Sequence, residues 1–470
     1  MDGAPLSLLI VVAALVFLMV MAYRGHSVIL FAPIAAMLAV LLTSPDLVPP
    51  VFTGLFMDKM VGFIKNYFPV FLLGALFGKL METSGFATSI VTAVMRLVGA
   101  KRAMLAIVLV GAILTYGGVS LFVVVFAVYP FAAEMFRQSD IPKRLIPATI
   151  ALGAFTFTMD ALPGTPQIQN IIPTTFFKTD AYAAPVLGLV GAVFVLCLGM
   201  TYLEWQRRRA HARGEGYGTG HANEPEPYRG GKLPHPLVAL LPLVLVGVAN
   251  KVLTTLIPGW LGKASTFDST VVGKIKPVTV PTAENVAIWA VEGALLLGIL
   301  MVFATAWRPI TKTFAEQSKP AISGALLATM NTASEYGFGA VIASLAGFAV
   351  VADGLKAIPN PLVNEAISVT ALAGITGSAS GGMSIALGAM ADQFIANAQA
   401  SGIPMEVLHR VAAMASGGMD TLPHNGAVIT VLAVTGLTHR QSYKDIFVMT
   451  VIKTVAVFVA IAVYYATGLV

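Results

Sequence analysis

The chain has 470 residues, of which 57% are hydrophobic and only 11% charged, with a formal net charge of +6 and a mean hydropathy of +0.82. A soluble protein of this length would carry roughly a quarter charged residues, so the composition excludes an ordinary water-soluble enzyme and predicts an all-α polytopic membrane protein. The single cysteine, Cys197, excludes an internal disulfide, and the positive balance reads as loop charge beside a lipid bilayer rather than a nucleic-acid surface.

In chain order, the first apolar run, residues 6–23, has no basic region before it and no small-residue cleavage site, and is read as a retained span. Further spans are predicted over 27–43, 66–81 and 183–203, and after the break over 236–257, 286–306 and 446–469. Between them, residues 204–233 form the one long polar stretch, with Arg207-Arg208-Arg209 followed by Gly, His, Glu and Pro, and read as a flexible cytoplasmic linker. It divides the chain into a first repeat, 1–203, and a second, 234–470.

The repeat rests on echoes roughly 260 positions apart. Met159-Asp160-Ala161-Leu162-Pro163-Gly164 returns as Met419-Asp420-Thr421-Leu422-Pro423-His424. Gly85-Phe86-Ala87 returns as Gly347-Phe348-Ala349, Gly117-Gly118-Val119-Ser120 as Gly381-Gly382-Met383-Ser384, and Ile141-Pro142 as Ile403-Pro404. Placing Arg24, Arg96, Lys101, Arg102, Lys143, Arg144, the Arg207 cluster, Arg308, Lys312, Arg440 and Lys444 inside puts both termini outside and runs matching spans in opposite directions. That is an inverted-topology repeat, the architecture of secondary transporters. The lysines of 262–282 then fall outside, a conflict with the charge rule that long loops often show.

Residues 103–136 carry basic residues at both ends and Gly117-Gly118 in the middle. Each limb would rise only about 24 Å against a hydrocarbon core of about 30 Å, so a re-entrant hairpin is predicted. Its partner is 364–397, turning at Gly377-Ser378-Ala379-Ser380-Gly381-Gly382. A non-helical tip at that depth needs protein or a water-filled cavity around it.

Pro163, Pro166 and Pro423 cannot donate to the carbonyls of Met159, Leu162 and Met419, so each echo predicts a broken transmembrane helix. The helix after each break presents unpaired amides that suit a carboxylate, and the freed carbonyls before it suit a cation. The plainer alternative is a kinked helix whose aspartate caps the next turn. Candidate substrate-binding residues are Thr165 and Gln167 in one break, Thr421, His424 and Asn425 in the other, Gly117, Gly118 and Ser120 at the first tip, and Ser378, Ser380, Gly381, Gly382 and Ser384 at the second. Asn331 and Ser334 join them from the run Asn331-Thr332-Ala333-Ser334-Glu335, although the tips' small residues also suit plain helix packing. Asp160, Asp420 and Glu335 are ionisable groups at membrane depth and are the candidate proton carriers. For the aspartates the alternative is permanent ionisation by backbone amides; for His424, a merely hydrogen-bonded buried imidazole. No metal-binding cluster, nucleotide-binding loop or hydrolase elbow is present, so no cofactor, metal or enzymatic activity is expected.

Tyr116-Gly-Gly-Val-Ser-Leu-Phe-Val, Ile141-Pro142-Lys143-Arg144 and Met159-Asp-Ala-Leu-Pro-Gly-Thr-Pro-Gln resemble the gluconate permease family of the ion-transporter superfamily. The resemblance implies uptake of organic monoanions by proton symport through the bacterial inner membrane. It also implies a homodimer and an elevator-type movement of a site built from Gly117–Ser120, Ser378–Ser384, Asp160–Gln167 and Asp420–Asn425. Within the family the pattern is closer to permeases for hydroxybutyrate-like acids than to those for sugar acids. A sodium-coupled carboxylate transporter and an anion channel are the other readings. Because no arginine or lysine falls in these four segments, helix ends and hydroxyls are expected to hold the carboxylate, which suits a monoanion.

Overall fold

A computed structural model describes residues 4–24, 26–99, 102–119, 121–225, 233–267, 277–348, 350, 358–423 and 425–470. Ser120 and His424 therefore lie outside the described residues, as do 226–232 of the polar stretch.

The first part opens with α1 (Ala4–Tyr23) and α2 (Val28–Thr43), then α3 (Met57–Thr83) and α4 (Phe86–Val98). Two helices packed on each other follow, α5 (Ala103–Tyr116) and α6 (Leu121–Gln138), joined at Gly117-Gly118. Next come α7 (Ile146–Ala154), the single turn α8 (Phe157–Asp160), α9 (Ile168–Phe177) and the long α10 (Pro185–Ala212). The second part contains α11 (Pro236–Leu261), α12 (Thr282–Thr305), α13 (Trp307–Ser344) and the packed pair α14 (Pro361–Thr376) and α15 (Ala379–Ala400). It closes with α16 (Met405–Ser416), α17 (Gly426–Thr435) and α18 (His439–Thr467).

The protein is thus mainly helical. The exception among the described residues is a two-stranded antiparallel ribbon between α11 and α12, β1 (Ala264–Phe267) with β2 (Val278–Pro281), in the long loop whose lysines conflict with the charge rule. Among the described residues, five helical segments are long and apolar enough to cross a membrane: Pro45–Thr83, Pro185–Ala212, Pro236–Leu261, Asn285–Thr305 and His439–Thr467. Their outward faces expose leucine and valine, for example Leu237, Leu241, Val244 and Val248 along α11, which water would penalise and lipid does not.

Both predicted hairpins form as helix–turn–helix pairs, and both predicted breaks form as interruptions, at 161–167 and 417–425. Gly118 and Gly377 turn the two tips with φ of +92° and +67°, a conformation a side chain resists. The first pair packs closely on α7: a methyl group on Gly153 would stand 2.6 Å from the Val108 carbonyl oxygen, so only glycine allows the backbones to meet. Elsewhere, α3 lies along α13, and α11 along α12.

For the described part of the polar stretch, 204–225, the reading as flexible is corrected. Residues up to Ala212 continue α10, because Glu204 pairs with Arg207 and Arg208 along one helix face. Residues 213–225 are docked as a strap. Arg144 binds Glu215 at 2.6 Å, Lys143 binds Glu224 at 2.8 Å, and Tyr217 is buried with its amide donating to Asp140. Asn223 donates to the Ala433 carbonyl at the end of α17, and Tyr129 of α6 donates to the Asn223 carbonyl. Arg144 also reaches the buried Asp445, which accepts from Tyr202 and Gln206 of α10. Basic residues in the first part thus recruited the acids of the strap, a pairing invisible in a linear polar run.

The Arg144 hydrogen bonds hold the Glu215 carboxyl below its ordinary value. A depressed carboxyl contributes stability above the unfolded-state value and loses it as pH falls through the lowered folded-state value. Glu215→Gln is therefore expected to lower the thermal midpoint near neutral pH by an amount worth at most about 1 kcal/mol, the pair being partly exposed. Melting curves of both proteins across pH should converge below the ordinary glutamate range.

Candidate functional site

The two interruptions and the two hairpin tips meet at one cavity of about 1130 Å³. Their meeting is held by one side-chain amide on each side. Gln167, at the start of α9, donates to the Thr115 carbonyl at 2.7 Å, at the first tip. Asn425, at the start of α17, donates to the Gly377 carbonyl at 2.7 Å, at the second, while its Oδ1 accepts from the Ala427 and Val428 amides. Asn425 gives the Gly377 carbonyl a donor inside an apolar interior, and Gln167 adds a second donor to a Thr115 carbonyl that already accepts from the Gly118 amide.

The carbonyls around the breaks are also mostly occupied. Tyr116 donates to Pro163 O at 2.9 Å, Tyr443 to Thr421 O at 3.2 Å, and His439 stands 2.9 Å from Pro423 O. Arg410 of α16, with no exposure to solvent, donates to Asp160 O, to Ala183 O and to Asn170 Oδ1. Asn170 in turn meets the buried His409, whose other ring nitrogen lies 2.6 Å from Thr179. Lys453 of α18 donates to Phe155 O, just before α8, at 3.1 Å and pairs with Asp420. One lysine therefore ties the bend at 155–156, which leads into the first interruption, to the second interruption.

Of the sequence-predicted residues, Gly118, Gln167, Asn331, Glu335, Ser378, Ser380, Asp420, Thr421 and Asn425 line the cavity. Gly117, Asp160, Thr165, Ser334, Gly381, Gly382 and Ser384 do not; they stand behind its wall. Gly117 packs on Leu243, and the Asp160 carboxylate lies against Gly417. Gly381 packs on Glu335, so any side chain there would displace the carboxylate. Glu335 is 3% exposed, and its Oε2 has no hydrogen-bond partner among the described residues; the same holds for the hydroxyls of Thr165, Ser334 and Ser384. Ser378 caps α15 by accepting from the Gly381 amide at 3.1 Å, and Ser380 lies 3.3 Å from Thr332.

The sequence reading missed Lys453, Arg410, His409 and Asn170, and the fully buried Glu365 of α14. It therefore expected helix ends and hydroxyls alone to balance the site. Lys453 did carry a signal, being a cation in mid-span, where an ionisable group is a functional suspect by default. Asp420 and Lys453 form a buried ion pair, and Arg410 meets the first interruption through the Asp160 carbonyl.

Helices with lipid-facing apolar sides, interrupted at a cavity lined by both polar and apolar side chains, are the build of a multi-pass membrane transporter. No family model matches the chain. It is 59% identical over 475 residues to the uncharacterized transporter YxjC of Bacillus subtilis (strain 168), covering 99% of this chain and 100% of that protein. The chain belongs to the family of that transporter. The crystal structure of the Alcanivorax borkumensis YdaH transporter, described as having an unusual topology, aligns over 88% of each chain with a TM-score of 0.46 and 15% identity.

Removing one member of the buried Asp420–Lys453 pair leaves the other uncompensated, at a typical cost of about 3–5 kcal/mol. Asp420→Asn and Lys453→Met should each lower the melting midpoint, whereas the double variant should melt above either single. Additive losses would show that the two charges do not support each other.

Proposed function

We propose that the protein is a proton-coupled symporter that imports a small organic monoanion across the bacterial inner membrane. The substrate class is a short hydroxy- or keto-acid such as 3-hydroxybutyrate, moved by elevator-type alternating access in a homodimer. The observation that carries this reading is the buried carboxylate of Glu335, which lines the cavity with an oxygen that has no hydrogen-bond partner among the described residues. An entering carboxylate beside a charged Glu335 would cost several kcal/mol, and one accompanying proton removes that cost.

Asp160, Asp420 and Glu335 remain the proposed proton carriers, and Glu335 is the best placed. It lines the cavity with a carboxylate oxygen that has no hydrogen-bond partner among the described residues, whereas Asp420 is already paired. The substrate carboxylate is proposed to sit among Ser378, Ser380, Thr421 and Asn425, near the amide end of α17. Asn331 and Gln167 are then in position to receive a hydroxyl or keto group. Gly118 is proposed to let the substrate approach the first tip closely, and Gly117, Thr165, Ser334, Gly381, Gly382 and Ser384 to act as the close-packed backing that keeps the two tips in place. The fold proposed around them is the inverted repeat of 1–203 and 234–470.

A sugar acid such as gluconate is the second reading. The cavity far exceeds the volume of a four-carbon acid, and Thr332, Thr376 and Gln169 add polar groups along its wall.

In proteoliposomes, labelled 3-hydroxybutyrate should accumulate under an inward proton gradient without sodium, and competition with gluconate ranks the two substrate readings. Uptake that requires sodium and ignores the proton gradient would overturn the coupling. Glu335→Gln is expected to uncouple accumulation from the proton gradient, lowering driven uptake at least about tenfold, the effect of losing roughly 1.4 kcal/mol, while counterflow exchange persists. Full proton-driven accumulation by that variant would shift the role to Asp160 or Asp420.

A further inference from the structure

A second cavity, of about 680 Å³, lies away from the proposed substrate site, between the start of α5 and the last turns of α10. Its floor is apolar, formed in part by Met104, Leu105 and Met200, and its rim carries Arg102, Arg207 and Arg208. Glu204 answers Arg207 at 2.5 Å and Arg208 at 3.1 Å, so three guanidinium groups face one carboxylate and a positive surplus remains.

The setting of this groove along α10 identifies what it fits. Val186, Leu189, Val193 and Leu198 are exposed on α10, an aliphatic face suited to lipid tails. From Val186 to Trp205 the helix rises roughly 28 Å, close to the thickness of a hydrocarbon core. Trp205 is 49% exposed and has the Arg209 guanidinium 5.1 Å from its ring centre. An aliphatic stretch, then an indole, then arginines is the layering of tails, interface and headgroups along one helix.

We infer that this groove is a binding site for an anionic phospholipid. The phosphodiester sits between Arg102 and the Arg207–Arg208 pair, where planar guanidinium groups can grip two oxygens at once, and the acyl chains cover the methionine and leucine floor. A free phosphate would meet the arginines but leave that floor uncovered. The inference is independent of which acid is transported.

Purified protein exchanged into detergent with equal amounts of phosphatidylglycerol and phosphatidylcholine tests it by native mass spectrometry. Phosphatidylglycerol should be retained in preference, and Arg102→Gln and Arg208→Gln should each cut the preference by about fivefold, the weight of one cation near an anionic lipid surface. Millimolar inorganic phosphate should not displace the lipid. Equal retention of the two lipids by the unmodified protein would overturn the inference without recourse to any variant. So would an unchanged preference in both folded variants. Displacement by phosphate alone would assign the groove to a soluble anion instead.

Discussion

The arrangement depends on a buried lysine. Lys453 places its ammonium group between the carbonyl of Phe155 and the carboxylate of Asp420, joining two helix interruptions that are far apart in sequence. Opening a helix in a low-dielectric interior leaves polar backbone without its normal partners, and placing an aspartate there adds a charge to the debt. A single cation with several donors answers both needs, which is why one side chain can hold two breaks together. The neighbouring Arg410 does the same for the far side of the first break, through Asp160 O, Ala183 O and Asn170.

The two halves of the site follow a common plan and then diverge. Gln167 and Asn425 each begin a helix after a break, and each donates to a carbonyl at a hairpin tip. The cations have no such pairing: both come from the second part of the chain and both reach into the first. Glu335 has no acidic counterpart near Phe68 and Pro69 either. A site with matched supports and unmatched charges gives a bound anion one preferred way round, since the supports fix the walls while the charges fix the polarity.

Much of this was legible in the sequence, for a physical reason. Proline and glycine act on the backbone locally, so Pro163, Pro423, Gly118 and Gly377 announce an interruption or a turn wherever the chain goes next. The cavity-lining polar residues Gln167, Asn331, Ser378 and Asn425 were legible because a polar group in an apolar run must be accounted for. What stayed hidden was pairing at long range. Arg410, which sequence analysis passed over, is fully enclosed, and its partners Asp160, Asn170 and Ala183 lie more than 220 positions away. Lys143 and Arg144 read as loop charges, and only the folded chain shows that Glu215 and Glu224 come back to meet them. The ribbon of 264–267 with 278–281 was missed because its strands are short and pair only with each other.

The one-sided origin of the cations bears on how the chain is made. The first half emerges from the ribosome carrying Asp160 and an open turn, while Arg410 and Lys453 are still unsynthesised. Arg410 follows Asp160 by 250 residues and Lys453 follows Phe155 by 298, so these contacts of the first part wait until that much more chain has been made. A polar turn is thus held open through most of synthesis before its partners arrive.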